Sequence, residues 1–401
     1  MKRQGTGIRD QGSVSPGSTS LAAIAILVLS LTGCRPHDFP QYPPNYREYA
    51  YVTNGDSNTV TVLDVVNVRV DRELAVGRHP VALAASPTRN EIYVVNSGTE
   101  GANGSVSVID AEHNTVVATI PVRRQPLAID VDADGARAYV ANSASNSISV
   151  IDLKARREIA QFGAGVEPVA ARIAPDGKTL VVANQEGNSV MVMDPASGQV
   201  RAVFADCPGA ASPVILPDSS KVFVACSAGH QVMAIALAHN DAHQDSHLAQ
   251  PDQLEALMDV GRGPSDLALK PDGGEIFASN SLSDSVSEIY NTTDEVGDTY
   301  TIGADPVRGL VSRDNALLYV ANLRSQEVTV YSIEDGKRVD TIHVGDGPAA
   351  MAFSAAGHLL FVVDSRSGDV AVARTASQSL FTMLPAGRNP NAIVDKAFQV
   401  Q

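Results

Sequence analysis

Residues 137–152 read RAYVANSASNSISVID, which predicts two short strands joined by a polar turn. Alternating and β-branched residues at 138–141 and 148–151 favour strands, and residues 142–147 are rich in the turn formers Asn and Ser. The Tyr-Val-x-Asn motif or a close variant occurs eight times, at residues 51–54, 93–96, 139–142, 181–184, 223–226, 277–280, 319–322 and 361–364. The steps between copies are 42, 46, 42, 42, 54, 42 and 42 residues, a period typical of a solenoid or a propeller.

Each repeat contains four strand-like segments, which the third copy shows at residues 139–142, 147–152, 158–162 and 169–174. The Pro175-Asp176-Gly177 sequence that follows predicts a tight hairpin turn, because proline presets φ and glycine accepts a positive φ. Four short antiparallel strands in about 42 residues indicate a propeller blade.

The motifs YVTN at 51–54, YVAN at 139–142 and 319–322, and SVSVID at 105–110 resemble those of the YVTN-repeat β-propeller family of extracytoplasmic proteins. The resemblance runs from residue 49 to the C-terminus. It implies the fold and says little about function, because these residues build strands and turns. Family members commonly have seven blades, so eight copies depart from the family pattern.

The phase of the repeat predicts how the ring closes. The chain opens on a second strand at residues 49–54 and ends on an innermost strand at residues 390–396, so the two ends would complete one blade. Closure removes the open sheet edge of a linear array. We therefore expect an all-β propeller of eight four-stranded antiparallel blades, with seven as the alternative, over residues 49–401. Insertions at residues 98–104 and 238–254 would lengthen two repeats without adding a blade.

The first 33 residues are typical of a lipoprotein signal peptide. Three basic residues precede an apolar run at residues 21–31, which is too short to span a bilayer. Leu31-Thr32-Gly33-Cys34 resembles a bacterial lipobox, in which the cysteine becomes N-terminal and is lipidated. Residues 34–48 read as a proline-rich tether. Arg35 after the cysteine favours the outer membrane, facing the periplasm or the cell surface.

Composition limits the partners. The chain carries 30 basic and 45 acidic residues, and without residues 1–33 the net charge is −17. An acidic surface repels phosphate backbones, so we expect no nucleic-acid partner. Apart from Cys34, the chain has two cysteines, Cys207 and Cys226, and an oxidising compartment favours a disulfide between them.

The turns that enter the innermost strands should surround the mouth of the channel, where propellers usually bind ligands. Several of them carry basic residues that suit an anionic ligand or an acidic partner segment. These candidates are Arg78, His79, Arg123, Arg124, Arg262 and Arg388.

Two and four places after the turn proline, the innermost strands carry mostly small residues, and the charged exceptions at these places are two Asp-then-Arg pairs one blade apart. Asp130 with Arg172, and Asp266 with Arg308, occupy corresponding places in successive repeats. Since a buried charge without a partner is costly, we expect each pair to bridge neighbouring blades at the channel wall, as a structural ion pair or as part of a ligand site.

A metal site is the hypothesis for the insertion at 238–254. His239, His243 and His247 are spaced to line one helical face, and imidazole with nearby Asp241 and Asp245 suits a transition metal. A mobile polar loop is the alternative. Residues 130–135 begin like a calcium loop, but Ala141 stands where the bidentate Glu is required, so we expect no calcium there.

Enzyme motifs are scarce: the sequence has no Cys-x-x-Cys-His heme attachment site, no Gly-x-Ser-x-Gly elbow and no Trp. The sequence favours a lipid-anchored, noncatalytic binding or scaffolding module of the cell envelope, monomeric and without a cofactor, that takes an envelope protein or a small anionic ligand. The alternative is a periplasmic enzyme or cofactor-handling protein that uses the channel mouth. Resemblance to heme d-type propellers would make His79 an axial ligand, and a lactonase-like propeller would use Asp130 and Asp266 around a cation.

Overall fold

The computed structural model describes residues 40–238 and 251–400. Within these ranges, 32 strands form eight four-stranded antiparallel sheets, and the one helical element is a 3-10 turn at Ser143–Ser145. The sheets are the blades of a propeller, so the predicted all-β, eight-bladed architecture is confirmed. No helix in the described ranges is long and apolar enough to cross a bilayer.

The strands follow the sequence repeat, with the innermost strand first and the outermost last in each blade after the first. Blade I contains β1 (Tyr46–Asn54), β2 (Thr59–Asp64) and β3 (Arg69–Ala75); blade II β4 (Pro80–Ala85), β5 (Glu91–Asn96), β6 (Asn103–Asp110) and β7 (Thr115–Arg124); blade III β8 (Pro126–Val131), β9 (Arg137–Asn142), β10 (Ser147–Asp152) and β11 (Arg157–Gly163); blade IV β12 (Pro168–Ile173), β13 (Leu180–Asn184), β14 (Ser189–Met193) and β15 (Val200–Phe204). Blade V contains β16 (Ala210–Ile215), β17 (Lys221–Cys226), β18 (Gln231–Ala236) and β19 (Gln253–Asp259); blade VI β20 (Pro264–Leu269), β21 (Glu275–Asn280), β22 (Ser285–Tyr290) and β23 (Glu295–Thr301); blade VII β24 (Pro306–Val311), β25 (Leu317–Asn322), β26 (Glu327–Ser332) and β27 (Lys337–His343); blade VIII β28 (Pro348–Phe353), β29 (Leu359–Asp364), β30 (Asp369–Arg374) and β31 (Ser379–Pro385); and β32 (Pro390–Gln399) completes blade I.

The ring closes where the sequence predicts, and the closure is longer than predicted. β32 pairs with β1 at nine positions, from Tyr46 opposite Gln399 to Asn54 opposite Pro390. The first strand therefore begins at Tyr46, three residues inside the segment predicted to be tether. Tyr46 and Glu48 belong to the strand because the hydroxyl of Tyr46 donates to the fully buried Glu48 carboxylate (2.5 Å), which also accepts the N–H of Ala355 in blade VIII (2.6 Å).

The core lies between the blades. Eight clusters of buried side chains occupy the eight interfaces between neighbouring blades. The first position of the Tyr-Val-x-Asn motif supplies a large side chain to most of them, and Tyr51, Tyr93 and Phe223 are fully buried there. Burial of an aromatic ring stabilises each interface, because its large apolar surface leaves water.

The turns divide between two faces of the ring. The turns that lead into the innermost strands (the leading turns) lie on the same face as the turns after the Tyr-Val-x-Asn motif, and we call this the mouth face. In all eight blades the residue after the motif donates its N–H to a carbonyl of the leading turn, for example Ser97 to His79 (2.9 Å) and Gln185 to Glu167 (2.9 Å). The opposite face carries the Pro-Asp-Gly type hairpins.

The last residue of the motif fixes the leading turn of its own blade. Asn54 is fully buried, accepts the N–H of Gly387 (3.0 Å) and donates to Thr61 on the next strand (2.9 Å). In six blades the residue opposite the motif residue is glycine, and an added Cβ there would come within 2.8 Å of its side chain; blade III instead has Arg123, whose N–H donates to Asn142 (3.2 Å), and blade V has Cys207. The glycines in this position are Gly77, Gly165, Gly261, Gly303, Gly345 and Gly387.

Blade VIII replaces this asparagine with Asp364, which is fully buried. It accepts the N–H of Gly345 at 3.0 Å. Burial, aided by the neighbouring carboxylate of Asp369, raises the pKa of Asp364 to about 8. The folded protein therefore retains a proton that the unfolded chain releases from about pH 4 upward, so this group lowers stability as pH rises from about 4 to 8.

We expect Asp364→Asn to stabilise the protein at alkaline pH. The free energy of unfolding should rise by about 2 kcal/mol at pH 9 and change little at pH 5, because a neutral amide needs no proton. Denaturant unfolding at the two pH values measures this. The matched variant Asn322→Asp in blade VII should show the reverse, a loss confined to the higher pH. An equal effect of Asp364→Asn at both pH values would contradict the assignment.

Candidate functional site

The predicted ligand-face residues all lie on the mouth face, but they are not equivalent. Arg78, Arg124, Arg262 and Arg388 are exposed, whereas Arg123 is half-buried and forms an ion pair with Glu158 on the outermost strand of blade III (2.8 Å). Arg124 donates to the carbonyl of Ala144 (2.9 Å) and Arg388 to that of Asp56 (3.2 Å). Within the described ranges the guanidinium groups of Arg78 and Arg262 have no hydrogen-bond or ion-pair partner.

His79 lies at the same mouth, beside the first blade. Its imidazole approaches Gly55, and its Nδ1 atom is 3.9 Å from the carboxylate of Asp56. The side chain is 46% exposed. Its backbone adopts a positive φ of 52°, as do the corresponding residues of the other leading turns.

The insertion in blade II creates two cavities on the mouth face. Residues 97–104 replace the four-residue turn of most other blades. On one side of this loop a cavity of about 290 Å³ is lined by Arg78, Asn96 and Ser105, and on the other a cavity of about 330 Å³ is lined by Arg124, Gln125 and Glu100. Thr99 lines both cavities. An arginine without a carboxylate partner therefore faces each side of one polar loop, an arrangement that suits a carboxylate or phosphate group.

Both inner-strand pairs meet across neighbouring blades. Asp266 in blade VI lies 2.8 Å from Arg308 in blade VII and also accepts the N–H of Gly309 (3.0 Å) and the hydroxyl of Ser212 in blade V (3.0 Å). These three contacts engage both oxygens of a carboxylate that is only 6% exposed. The Asp266 carboxylate raises the pKa of Arg308, so the guanidinium stays charged.

The second pair is looser. Asp130 in blade III lies 3.7 Å from Arg172 in blade IV and accepts the N–H of Ile173 (3.0 Å). Burial raises the pKa of Asp130, and the nearby Arg172 opposes that rise. The two pairs share one arrangement. In each, an aspartate accepts a backbone N–H of the next innermost strand and forms an ion pair with the arginine beside that N–H.

We expect coupling within each pair. A double-mutant cycle of Asp266→Asn and Arg308→Gln should give a coupling free energy of about 1 kcal/mol. The cycle of Asp130 and Arg172 should give a smaller coupling, because the two charged groups are farther apart and Arg172 is half exposed. Chemical denaturation of the four proteins in each cycle measures this. The idea fails if neither cycle leaves an interaction above experimental error.

Cys207 and Cys226 form a disulfide with a Cα separation of 4.7 Å, and both residues are fully buried. Cys226 stands at the asparagine of the motif and Cys207 at the glycine of the leading turn. In blade V a covalent bond therefore replaces the hydrogen bond that other blades make. In a regular hairpin turning at Asp218-Ser219, Ala211 would lie opposite Cys226. Ala210 occupies that place instead, because the strand is bulged between Ala211 and Val214.

Two groups of predicted site residues lie outside the described ranges. These are the lipidation site Cys34 and the metal candidates His239, His243 and His247. Among the described residues no group of three or more His, Cys, Asp or Glu side chains is arranged to hold a metal ion. Asp130 and Asp266 belong to different ion pairs and are not brought together, so they do not form the shared cation site of a lactonase-like centre.

Comparison with known proteins points to propellers. A family model described as lactonase, 7-bladed β-propeller, matches residues 32–216, less than half of the chain. The uncharacterized protein YncE of Salmonella typhi is 36% identical over 94 residues, which make up 23% of this chain and 25% of YncE. The chain therefore spans about a quarter of the length of the curated relatives it matches. Both matches support membership of a β-propeller family.

Solved structures resemble the whole ring. Dihydro-heme d1 dehydrogenase NirN in complex with DHE has a TM-score of 0.70 at 16% identity, covering 89% of this chain and 76% of its own. AztD from Citrobacter koseri has a TM-score of 0.67 at 14% identity, covering 89% and 99%. A putative 6-phosphogluconolactonase from Bacteroides uniformis has a TM-score of 0.60 at 16% identity, covering 87% and 99%. At these identities the similarities show the fold alone.

Proposed function

We propose that this chain is a lipid-anchored, extracytoplasmic propeller of the YVTN-repeat type that binds a small anionic ligand on its mouth face without catalysing a reaction. The lipobox-like Leu31-Thr32-Gly33-Cys34 supports the anchor, and the residues around the channel mouth support the ligand class. The two parts of the proposal are tested separately.

The observation that carries the binding proposal is the pair of cavities beside residues 97–104. Arg78 lines one cavity, whose lining has no carboxylate, and Arg124 lines the other together with Glu100; among the described residues, neither guanidinium forms an ion pair. The protein as a whole carries a net charge of −15, so an anion is repelled by most of its surface. A local site with two arginines would overcome this, because each charge-assisted hydrogen bond is roughly twice as strong as a neutral one.

The chain itself offers the variant that tests the site. Replacing residues 97–104 with residues 185–188, the four-residue turn of blade IV, removes the loop that lines both cavities and, from the strands of blade II, only Asn103 and Gly104 at the start of β6. We expect anions such as citrate and pyrophosphate to raise the melting temperature of the wild type and not that of the swapped protein. The same rise in both proteins would exclude this loop as the site.

The anchor is tested by Cys34→Ser. The wild type should fractionate with membranes and incorporate labelled palmitate, and the variant should do neither because it lacks the thiol that carries the lipid. Membrane association that persists in the variant would contradict a lipid anchor.

A second candidate, handling of a heme-type cofactor, is favoured by the position of His79. Its imidazole is half exposed at the channel mouth, and the similar structure of NirN is of a complex with DHE. Its ring would supply one axial ligand. Heme titration followed by absorbance tests this candidate: a Soret shift that His79→Ala abolishes would support it, and no shift would exclude it.

A further inference from the structure

The wall of the central channel carries two exposed arginines, Arg172 and Arg308. Among the residues of the eight innermost strands, only Arg172, Arg308 and the terminal Gln399 are exposed. An innermost strand is bordered by the second strand of its own blade and by the innermost strands of its neighbours. A side chain in the middle of such a strand reaches solvent only through the channel. Since Arg172 is 49% exposed and Arg308 is 46% exposed, both guanidinium groups face the channel.

Both arginines are held in place before any ligand arrives. Asp266 contacts one nitrogen of Arg308, and Asp130 lies near one nitrogen of Arg172. Each aspartate is itself fixed by a backbone N–H of the next strand. A guanidinium group has five N–H donors, so each arginine keeps donors for an anion. Preorganised donors bind more strongly, because less conformational freedom is lost on binding.

The residues at the matching positions of the other innermost strands are mostly small and uncharged. At the second position after the turn proline, five of the eight strands carry alanine, and these residues are Ala82, Ala128, Ala170, Ala350 and Ala392. At the fourth position the uncharged residues are Ala84, Val214, Ala268, Leu310, Ala352 and Val394. Several of them, including Ala268 and Ala350, are buried between blades, so Arg172 and Arg308 are the exposed groups that a ligand in the channel would meet.

The arginines stand on opposing sides of the channel and at different depths. Blades IV and VII are three steps apart in a ring of eight, roughly 135° around the axis. Arg308 is at the second position of its strand and Arg172 at the fourth, a difference of about 7 Å along the strand direction. A single carboxylate cannot bridge such a spacing.

We infer that the channel binds an elongated ligand with two separated anionic groups, one on Arg172 and the other on Arg308. This inference rests on the proposed binding of small anions, and it adds the ligand class and the two residues that select it. Access is from the mouth face, where Arg78 and Arg124 would attract the ligand.

The test uses linear dicarboxylates of four to ten carbons and monocarboxylates of equal length, titrated calorimetrically into the protein. We expect affinity to peak at one dicarboxylate length and every monocarboxylate to bind at least tenfold more weakly. The double variants Asp130→Asn/Arg172→Gln and Asp266→Asn/Arg308→Gln leave no unpaired charge, and each should remove the dicarboxylate preference. The control Asp71→Asn/Arg72→Gln neutralises an ion pair on β3 whose arginine is 48% exposed, and it should change nothing.

The outcomes separate this inference from the proposed function. Equal binding of dicarboxylates and monocarboxylates, or a preference that survives both channel variants, would overturn the inference. If binding is then lost only in the blade II loop variant, the mouth-face proposal stands without the channel site. Thermal unfolding of each variant checks that the ring is intact.

Discussion

Removing residues 389–401 should unfold the entire propeller, and we expect this to be the largest effect of any change considered. The deletion takes away β32, the innermost strand of blade I, and with it nine paired positions along β1. It also opens the interfaces on both sides of blade I, since Val394 and Phe398 pack against blade II and Ile393 packs against blade VIII. In a closed repeat array each blade depends on its neighbours, so the loss spreads around the ring.

The deletion should lower the free energy of unfolding by more than about 5 kcal/mol, since several buried side chains and a whole strand are lost. Far-UV circular dichroism during thermal unfolding measures this. A deletion of residue 401 alone is the control: it keeps all of β32 and the Val400 N–H that donates to Asn45 (3.0 Å), and it should melt close to the wild type. A protein that lacks residues 389–401 and still melts at the wild-type temperature would contradict closure by the terminal strands.

The second large effect concerns the disulfide of blade V. Reduction, or Cys226→Ala, should destabilise the domain by about 3 kcal/mol, as expected for a loop closed over a sequence separation of 19 residues. Cys207→Gly with Cys226→Asn should restore much of this loss under reducing conditions. The pair recreates the glycine and asparagine of the other blades, where the amide side chain holds the leading turn by hydrogen bonds.

Two controls make the exchange specific. Cys207→Gly with Cys226→Ala lacks the amide and should remain as unstable as the single variant. Cys207→Ala with Cys226→Asn should be worse than the restoring pair, because a Cβ opposite the asparagine has no room, as at Gly77 and Gly165. Equal stability of all three double variants would show that blade V does not use the packing of its neighbours.

Most of the fold could be predicted from the sequence, because the same pattern occurs eight times and each copy independently indicates the same strands and turns. The period gave the blade count, and the phase gave the closure by β1 and β32. The start of β1 was misplaced by three residues, since Tyr46 and Glu48 are held by tertiary contacts that no local pattern encodes. The bulge before Val214 likewise shifted the pairing opposite Cys226.

The candidate site was less predictable. The position of a residue in the repeat predicts that it lies on the mouth face. It does not predict which arginines form an ion pair with a carboxylate of the protein. Arg123 is paired with Glu158, whose side chain comes from the outermost strand, whereas Arg78 has no such partner. The repeat did carry a signal for Asp364, the one carboxylate at the asparagine position, and its raised pKa follows from burial.

The measurement that tests the proposed function most directly is a calorimetric titration of the full-length protein with pyrophosphate, beside Arg78→Glu/Arg124→Glu. Both positions are exposed, so reversing their charge should leave the fold unchanged. We expect saturable binding to the wild type and at least a tenfold loss of affinity in the variant, with the loss shrinking at high salt as the charges are screened. Equal affinity of the two proteins, or no binding of pyrophosphate or citrate to the wild type, would contradict an anion site on the mouth face.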